Sequence, residues 1–286
     1  MQPHRAEVAN GPFLVDAHVH FYPGYRRDPF LDGALANFRH HAGRLGLDPR
    51  APAFLLLTET AEDHWFRALR DAAAAGTTGR WTFRATGDAC SLIASRRPGE
   101  ELVIIAGRQV AAREGLEVLA IGIDDDLPDG QPLRRTIERV AARGAVPVVP
   151  WGFGKWWFRR GALLRGLLER PPADALFLGD NGGRPHRFGT PFLFGFAAGR
   201  GIWTLPGSDP LPFPSHEARA GSNGFVLDGR LELDRPGESL KERLRALGTQ
   251  PRPYGDGEAV PDFLWHQVVM QLRKRAWQAR RLLAPR

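Results

Sequence analysis

The chain has 286 residues, 43% of them hydrophobic and 25% charged, a balance that suits one large domain or two small ones and excludes collagen, coiled coil and wholesale disorder. No apolar run approaches the roughly 20 residues needed to cross a bilayer. The start, MQPHRAEVANGPFLVD, lacks the apolar core of a secretory signal, so a cytoplasmic location is expected. Cys90, the one cysteine, cannot form an internal disulfide or a thiolate metal site alone, and a reducing interior fits that usage. The net charge is +7, with lysine only at Lys155, Lys241 and Lys274, so the basic residues are nearly all arginine. A solvated basic surface accounts for the excess; the sharper reading is attraction to an anionic small-molecule substrate, since arginine grips phosphate in a bidentate fork. The basic residues are scattered and no zinc-finger spacing or RNA-binding signature occurs, so nucleic acid is not an expected partner.

Apolar runs alternate with amphipathic stretches along the chain. FLVDAHVHF (13–21) reads as a strand, followed by a helix over 30–45, a strand AFLLLTE (53–59) and a helix over 61–76 that stops at a glycine. Residues 80–123 break the rhythm with several strand-like runs joined by short polar links. A helix at 132–143, a strand AVPVVPW (145–151) and a helix within 156–169 restore it. Strand ALFLGD (175–180), a helix at 190–199 and strands at 202–209 and 224–228 follow. Repeated βα units imply parallel strands. The expected fold is α/β, a distorted (β/α)7 or (β/α)8 barrel in one domain over 1–286, β-rich in its first half. A terminal amphipathic helix is expected over 261–283, with Phe263, Leu264, Val268 and Leu272 packed against the body.

The strongest local signal is Asp16-Ala17-His18-Val19-His20. Alternate side chains of a strand share a face, so Asp16, His18 and His20 are expected to point together. Two imidazoles so placed can hold a divalent cation, with a carboxylate to complete or orient the site. The pair ends the first apolar strand, where a β/α barrel carries its active-site residues; the alternative is ordinary polar residues at a strand end. Gly207-Ser208-Asp209 closes a late strand. Asp209 there can bind metal or take a proton from metal-bound water, or simply form a helix cap or turn.

These motifs resemble the PHP (polymerase and histidinol phosphatase) superfamily of metal-dependent hydrolases, in order over most of the chain. His18 and His20 match the family's opening H-x-H. Thr58-Glu59-Thr60 stands where the family has T-D-H, Gln109 where it has a metal-binding glutamate, and Pro150 or Trp151 where a strand ends in A-H-P. Gly207-Ser208-Asp209-Pro210-Leu211 stands at the final G-S-D-x-H. The resemblance implies a metal set reduced to His18, His20, Glu59 and Asp209, holding one or two ions of zinc, manganese or iron, with Asp16 nearby. Substitute ligands are sought at His64, His186 and His216.

Two loops complete the candidate site. LFLGDNGGRPHRFG (176–189) would bring Asp180 and Asn181 to the mouth, Asp180 in a catalytic role, with Arg184 and Arg187 to clamp a phosphate or carboxylate. WGFGKWWFRR (151–160) would offer Trp151 and Lys155 as an aromatic wall with a cation beside it. The expected function is metal-dependent hydrolysis of a phosphoester or other anionic small molecule. The alternatives are an amidohydrolase acting on C–N bonds and a degenerate barrel that binds or regulates.

Overall fold

The computed structural model describes residues 8–76, 79–173 and 175–283, of which the side chains of His186 and 273–283 lie outside the description. The first half contains β1 (Val8–Asn10), β2 (Phe13–Val19), α1 (Arg27–Leu45), β3 (Ala53–Leu57), α2 (Trp65–Ala74), β4 (Thr82–Ala85), β5 (Ser91–Arg97), β6 (Glu100–Ile105), β7 (Gly107–Ala111) and β8 (Glu117–Ile121). There follow α3 (Leu133–Ala142), β9 (Val146–Pro150), α4 (Phe158–Glu169), β10 (Phe177–Asn181), α5 (Phe192–Ala198) and β11 (Thr204–Gly207). The chain then forms β12 (Asn223–Leu227), β13 (Arg230–Glu232), α6 (Pro236–Arg245), β14 (Arg252–Gly255) and α7 (Val260–Leu283).

These strands do not close into a barrel, which corrects the expected fold. They form a seven-stranded sheet in the order β14-β12-β2-β3-β6-β5-β4, a five-stranded sheet β11-β10-β9-β8-β7 and a two-stranded ribbon β1-β13. The physical reason is that a strand has only two edges. β2 gives one to β3 and the other to antiparallel β12, and β3 gives its second to β6. Continuous ladders from β2 to β11 and from β3 to β7 are thereby precluded.

The two sheets pack face to face instead. Phe13, Val15, Phe54, Val103 and Phe225 from one meet Leu119, Val146, Val148, Phe177 and Leu205 from the other in a shared core. On the outer faces, alternate residues such as Leu14, Leu55 and Ile104 pack under α1 and α2, and Val118, Val149 and Leu178 under α3, α4 and α5. This period of two is the alternation seen in the sequence, with both faces of the central strands buried.

The sheets touch at the C-terminal ends of β2 and β3. Asp209 N donates to His18 O at 2.8 Å, and Glu59 bridges to Arg108 through Glu59 N to Gly107 O and Gln109 N to Glu59 O. Both junctions require glycine. A Cβ on Gly207 would lie 2.3 Å from His18 N, and one on Gly107 would lie 2.2 Å from Leu57 O, distances no side chain tolerates.

At the far end, α7 forms as expected, but its packing differs from the expectation. Phe263 is buried, whereas Leu264, Val268 and Leu272 are exposed along with Trp265. Among the described residues no helix is long and apolar enough to cross a membrane.

Candidate metal centre

His18 and His20 lie at the end of β2, and Asp209 just beyond β11, at the first of the two sheet junctions. The strand's register shifts between Asp16 and Val19. Phe13, Val15 and Ala17 face the shared core while Leu14 and Val19 face outward, so the alternation reverses after Ala17. That reversal separates Asp16 from the two histidines, against the expectation of a common face.

The three remaining groups converge. His18 Nε2 and His20 Nε2 are 3.0 Å apart, and Asp209 Oδ1 lies 3.5 Å and 3.7 Å from them. A triangle of these sides has a centre about 2.0 Å from each corner, the distance at which zinc holds nitrogen and oxygen ligands. Two neutral imidazoles and a carboxylate also suit manganese and iron. Burial, helped by neighbouring His18, pushes the His20 imidazole down to about 4, so it is neutral at pH 7, as a ligand must be. Burial alone would raise the Asp209 carboxyl. His18, His20, Lys155 and Arg219 outweigh it and hold the group below the usual carboxylate range. Asp209 also has φ of 46°, a left-handed backbone uncommon outside glycine that places a carboxylate at the apex of a tight turn.

Asn181 secures this apex. Its Nδ2 donates to Asp209 Oδ2 at 3.0 Å and to Trp151 O at 3.1 Å, which leaves Oδ1 directed at the imidazoles. Asp16 acts from behind: Oδ1 accepts from Ser208 N and His18 N, and Oδ2 accepts from Gly221 N at 2.7 Å. Fully buried, it is raised to about 7 despite those donors. It ties three backbone segments together and directs no oxygen at the cluster.

Several other expected site residues are committed elsewhere. Glu59 Oε1 accepts from Phe66 N at the start of α2, and Oε2 lies 3.5 Å from Arg108 Nη1. It therefore caps a helix and pairs with a cation at the second junction. Burial raises it to about 7. His64 precedes α2, with Nδ1 3.2 Å from Arg108 Nη2. The Asp180 carboxylate receives Arg184 Nε at 2.8 Å and Nη2 at 2.6 Å, while Arg184 Nη1 donates to Gly189 O. This bidentate pair braces the loop. Arg187 is exposed, and the His186 side chain lies outside the described residues. Lys155 Nζ is 2.5 Å from Glu117 Oε2, and both groups act electrostatically on the cluster.

The sequence reading missed Glu117, Tyr22 and Arg219. Tyr22 lies against His20 with ring centroids 5.6 Å apart, and burial raises its hydroxyl, so it stays protonated. Continuing the alternation from His18 and His20 by one more step points to Tyr22; the other two carry no local signal.

A second group, His216, Glu258 and His266, has the same composition. Here Leu211 N donates to His216 Nδ1 at 3.0 Å, which leaves the ring proton on Nε2. Arg219 Nη1 sits 3.3 Å from that Nε2 and 2.7 Å from Glu258 Oε1, while His266 Nδ1 is 2.9 Å from the same oxygen. A guanidinium already occupies the place of an ion.

No family model matches the chain, and no curated protein matches it. Among solved structures it is similar to PsfC from Pseudomonas syringae PB-5123, at 14% identity and a TM-score of 0.52, covering 91% of this chain and 98% of that one. It is also similar to PfuEndoQ, a lesion-specific endonuclease from Pyrococcus furiosus, at 14% identity and a TM-score of 0.48, covering 86% of this chain and 58% of that one. Endonuclease Q in complex with a 27-mer duplex carrying an abasic lesion gives 13% identity and a TM-score of 0.43, covering 87% and 60%. The likeness to PsfC shows a shared fold. Endonucleases are among these structures, one of them in complex with a DNA duplex, and the expectation that set nucleic acid aside as a partner is withdrawn.

Proposed function

We propose that this chain is a metal-dependent hydrolase of phosphoesters, built on one divalent ion held by His18, His20 and Asp209. The observation that carries the reading is the convergence of two imidazole nitrogens and one carboxylate oxygen on a single point. The H-x-H and G-S-D motifs that resemble the PHP superfamily fall on these same three residues.

A bound ion supplies acidity to water and draws charge from an ester oxygen. The chain's own residues do the rest. His20 stays neutral and Asp209 stays anionic across neutral pH. Asn181 fixes Asp209 Oδ2, which would hold Oδ1 toward the ion with its second lone pair free to orient a water beside the centre and accept its proton. Lys155 and Arg219 add positive potential, which favours an anionic ester over a neutral amide. Hydrolysis joins the water oxygen to phosphorus and releases the alcohol from the broken P–O bond.

The test is a substrate panel with added manganese or zinc: phosphomonoesters, phosphodiesters, single- and double-stranded DNA, and cyclic amides. The proposal expects metal-dependent phosphoester cleavage that disappears in His18→Ala/His20→Ala. Cleavage confined to amides, or phosphoester cleavage that survives in the double variant, overturns it.

A further inference from the structure

A cavity of about 750 Å³, within the range of small-molecule sites, has Trp151 in its lining, and the carbonyl of that residue is joined to Asp209 through Asn181. Its walls are aromatic: Trp151, Phe153, Trp156 and Trp157 from the segment after β9, and Phe188 and Phe192 from the segment after β10. Phe263 of α7 meets Phe153 and Phe188 edge to face at 5.3 Å and 5.5 Å and fixes that side of the wall.

Four observations bear on what the cavity holds. First, much of this aromatic surface faces solvent: Phe192 is 71% exposed, Trp157 52% and Phe188 48%. Contiguous exposed apolar surface of this kind marks a binding site. Second, Phe158 also lines the cavity, 91% exposed and at φ of 53°. A bulky residue in the left-handed region is strained, yet here it presents its ring outward rather than burying it.

Third, both cations of the lining are already engaged. Arg184 is held by Asp180 and Gly189 O. Arg165 lies 3.4 Å from Glu169 and over the Phe196 ring. The cavity therefore suits an uncharged group. Fourth, the wall and the metal centre share one amide, because Asn181 Nδ2 donates both to Trp151 O and to Asp209 Oδ2.

From these we infer that the cavity receives a flat aromatic ring carried on the substrate beside its anionic ester, which makes the substrate class an aryl- or heteroaryl-bearing phosphoester. The inference rests on the metal-dependent hydrolase reading for the fate of the ester, and on the cavity alone for the ring. The division of labour is physical: charge goes to the ion, and the apolar ring leaves water against Trp157 and Phe192.

The probes are 2-(1-naphthyl)ethyl phosphate, ethyl phosphate and the uncharged 2-(1-naphthyl)ethanol, used with the full chain. The two esters release alcohols of similar acidity, so their ratio reports the ring. The metal-loaded protein is expected to hydrolyse the naphthyl ester with kcat/KM about tenfold or more above ethyl phosphate, the effect of burying one ring-sized apolar group. In Trp157→Ala/Phe192→Ala that ratio should fall close to one; both residues are exposed, and an unchanged melting temperature shows the fold is kept. The naphthyl alcohol should quench tryptophan fluorescence equally in wild type and in His18→Ala/His20→Ala, and bind at least tenfold more weakly to the cavity variant, measured by calorimetry. Ring binding with no hydrolysis of either ester supports the cavity and overturns the hydrolase reading. Equal kcat/KM for the two esters, or alcohol binding unaffected by the cavity substitutions, overturns the inference and leaves the hydrolase reading intact. A dimer in light scattering that dissociates in the cavity variant also overturns it, because the occupant is then a second copy of this chain.

Discussion

Two clusters in this molecule share a composition of two histidines and one carboxylate, and they differ in what their atoms already touch. In the first, the tautomer of His18 is set by no protein group, because its Nδ1 is buried without a partner among the described residues. Its Nε2 is thus available beside that of His20, with Asp209 Oδ1 completing the triangle. In the second, Leu211 N fixes the tautomer of His216 and Arg219 neutralises Glu258 from inside. On the proposed reading, donor identity and proximity alone would not make a metal site; uncommitted lone pairs aimed at one point would.

Breaking the comparison at its carboxylates should produce the largest effects, and of opposite kinds. Asp209→Asn is expected to lower phosphoester turnover by about 10²–10⁴, the range for losing a general base, while leaving the melting temperature near wild type, since asparagine tolerates the same left-handed backbone. Glu258→Gln is expected instead to leave Arg219 without its anion, at a cost on the order of 3 kcal/mol in urea unfolding. If Asp209→Asn turns over normally, its role at the site is wrong.

Asn181→Ala should come next. With Oδ2 of Asp209 released, metal affinity should fall by about 10- to 100-fold, as for other groups that orient a ligand, and a competitive chelator titration reads the shift. Unchanged affinity would mean that the turn alone positions Asp209. Gly207→Ala sharpens the same point from the backbone side. A Cβ 2.3 Å from His18 N must push the two strands apart, with an expected loss of about 1–3 kcal/mol in stability and weaker metal binding in the same titration.

The smallest effect is a pH dependence at the second cluster. Burial, with Arg219 and His266 beside it, pushes His216 down to about 3 from an unfolded value of 6.5. A histidine with a depressed folded value contributes stability that is complete above pH 6.5 and is lost as pH falls toward 3. His216→Gln should therefore flatten the acid limb of stability between pH 6.5 and 3, read from urea midpoints across that range. Parallel limbs for the two proteins would contradict the assignment.

The element order was legible because apolar runs and amphipathic periods are local properties. β2, β3, β9 and β10, and the helices between 27 and 169, all coincide with expected segments to within a few residues. Strand pairing was not legible. The partners that occupy the outer edge of β2 come from residues 223–227, and β14 at 252–255 extends that edge further, so nothing near β2 announces that a barrel cannot close. Within the site, H-x-H and the late aspartate could be read because their spacing and strand-end position are sequence features. Asp16 could not be assigned correctly, since a register shift after it reverses the alternation. Glu59, expected as a metal ligand, and Asp180, expected in a catalytic role, each meet an arginine, Arg108 or Arg184, an ion pair that the sequence reading did not foresee. Arg108 lies 49 residues from Glu59 in sequence, whereas the four-residue spacing of Asp180 and Arg184 was visible but runs from the end of β10 into a loop, where it predicts no pairing.

The most direct test of the central claim is equilibrium dialysis against zinc and manganese, with metal content read by elemental analysis for three proteins: wild type, His18→Ala/His20→Ala and His216→Ala/His266→Ala. The account predicts one ion per chain in the wild type, one in the second variant and essentially none in the first. Metal retained by the His18→Ala/His20→Ala protein, or lost only from the His216→Ala/His266→Ala protein, would contradict it.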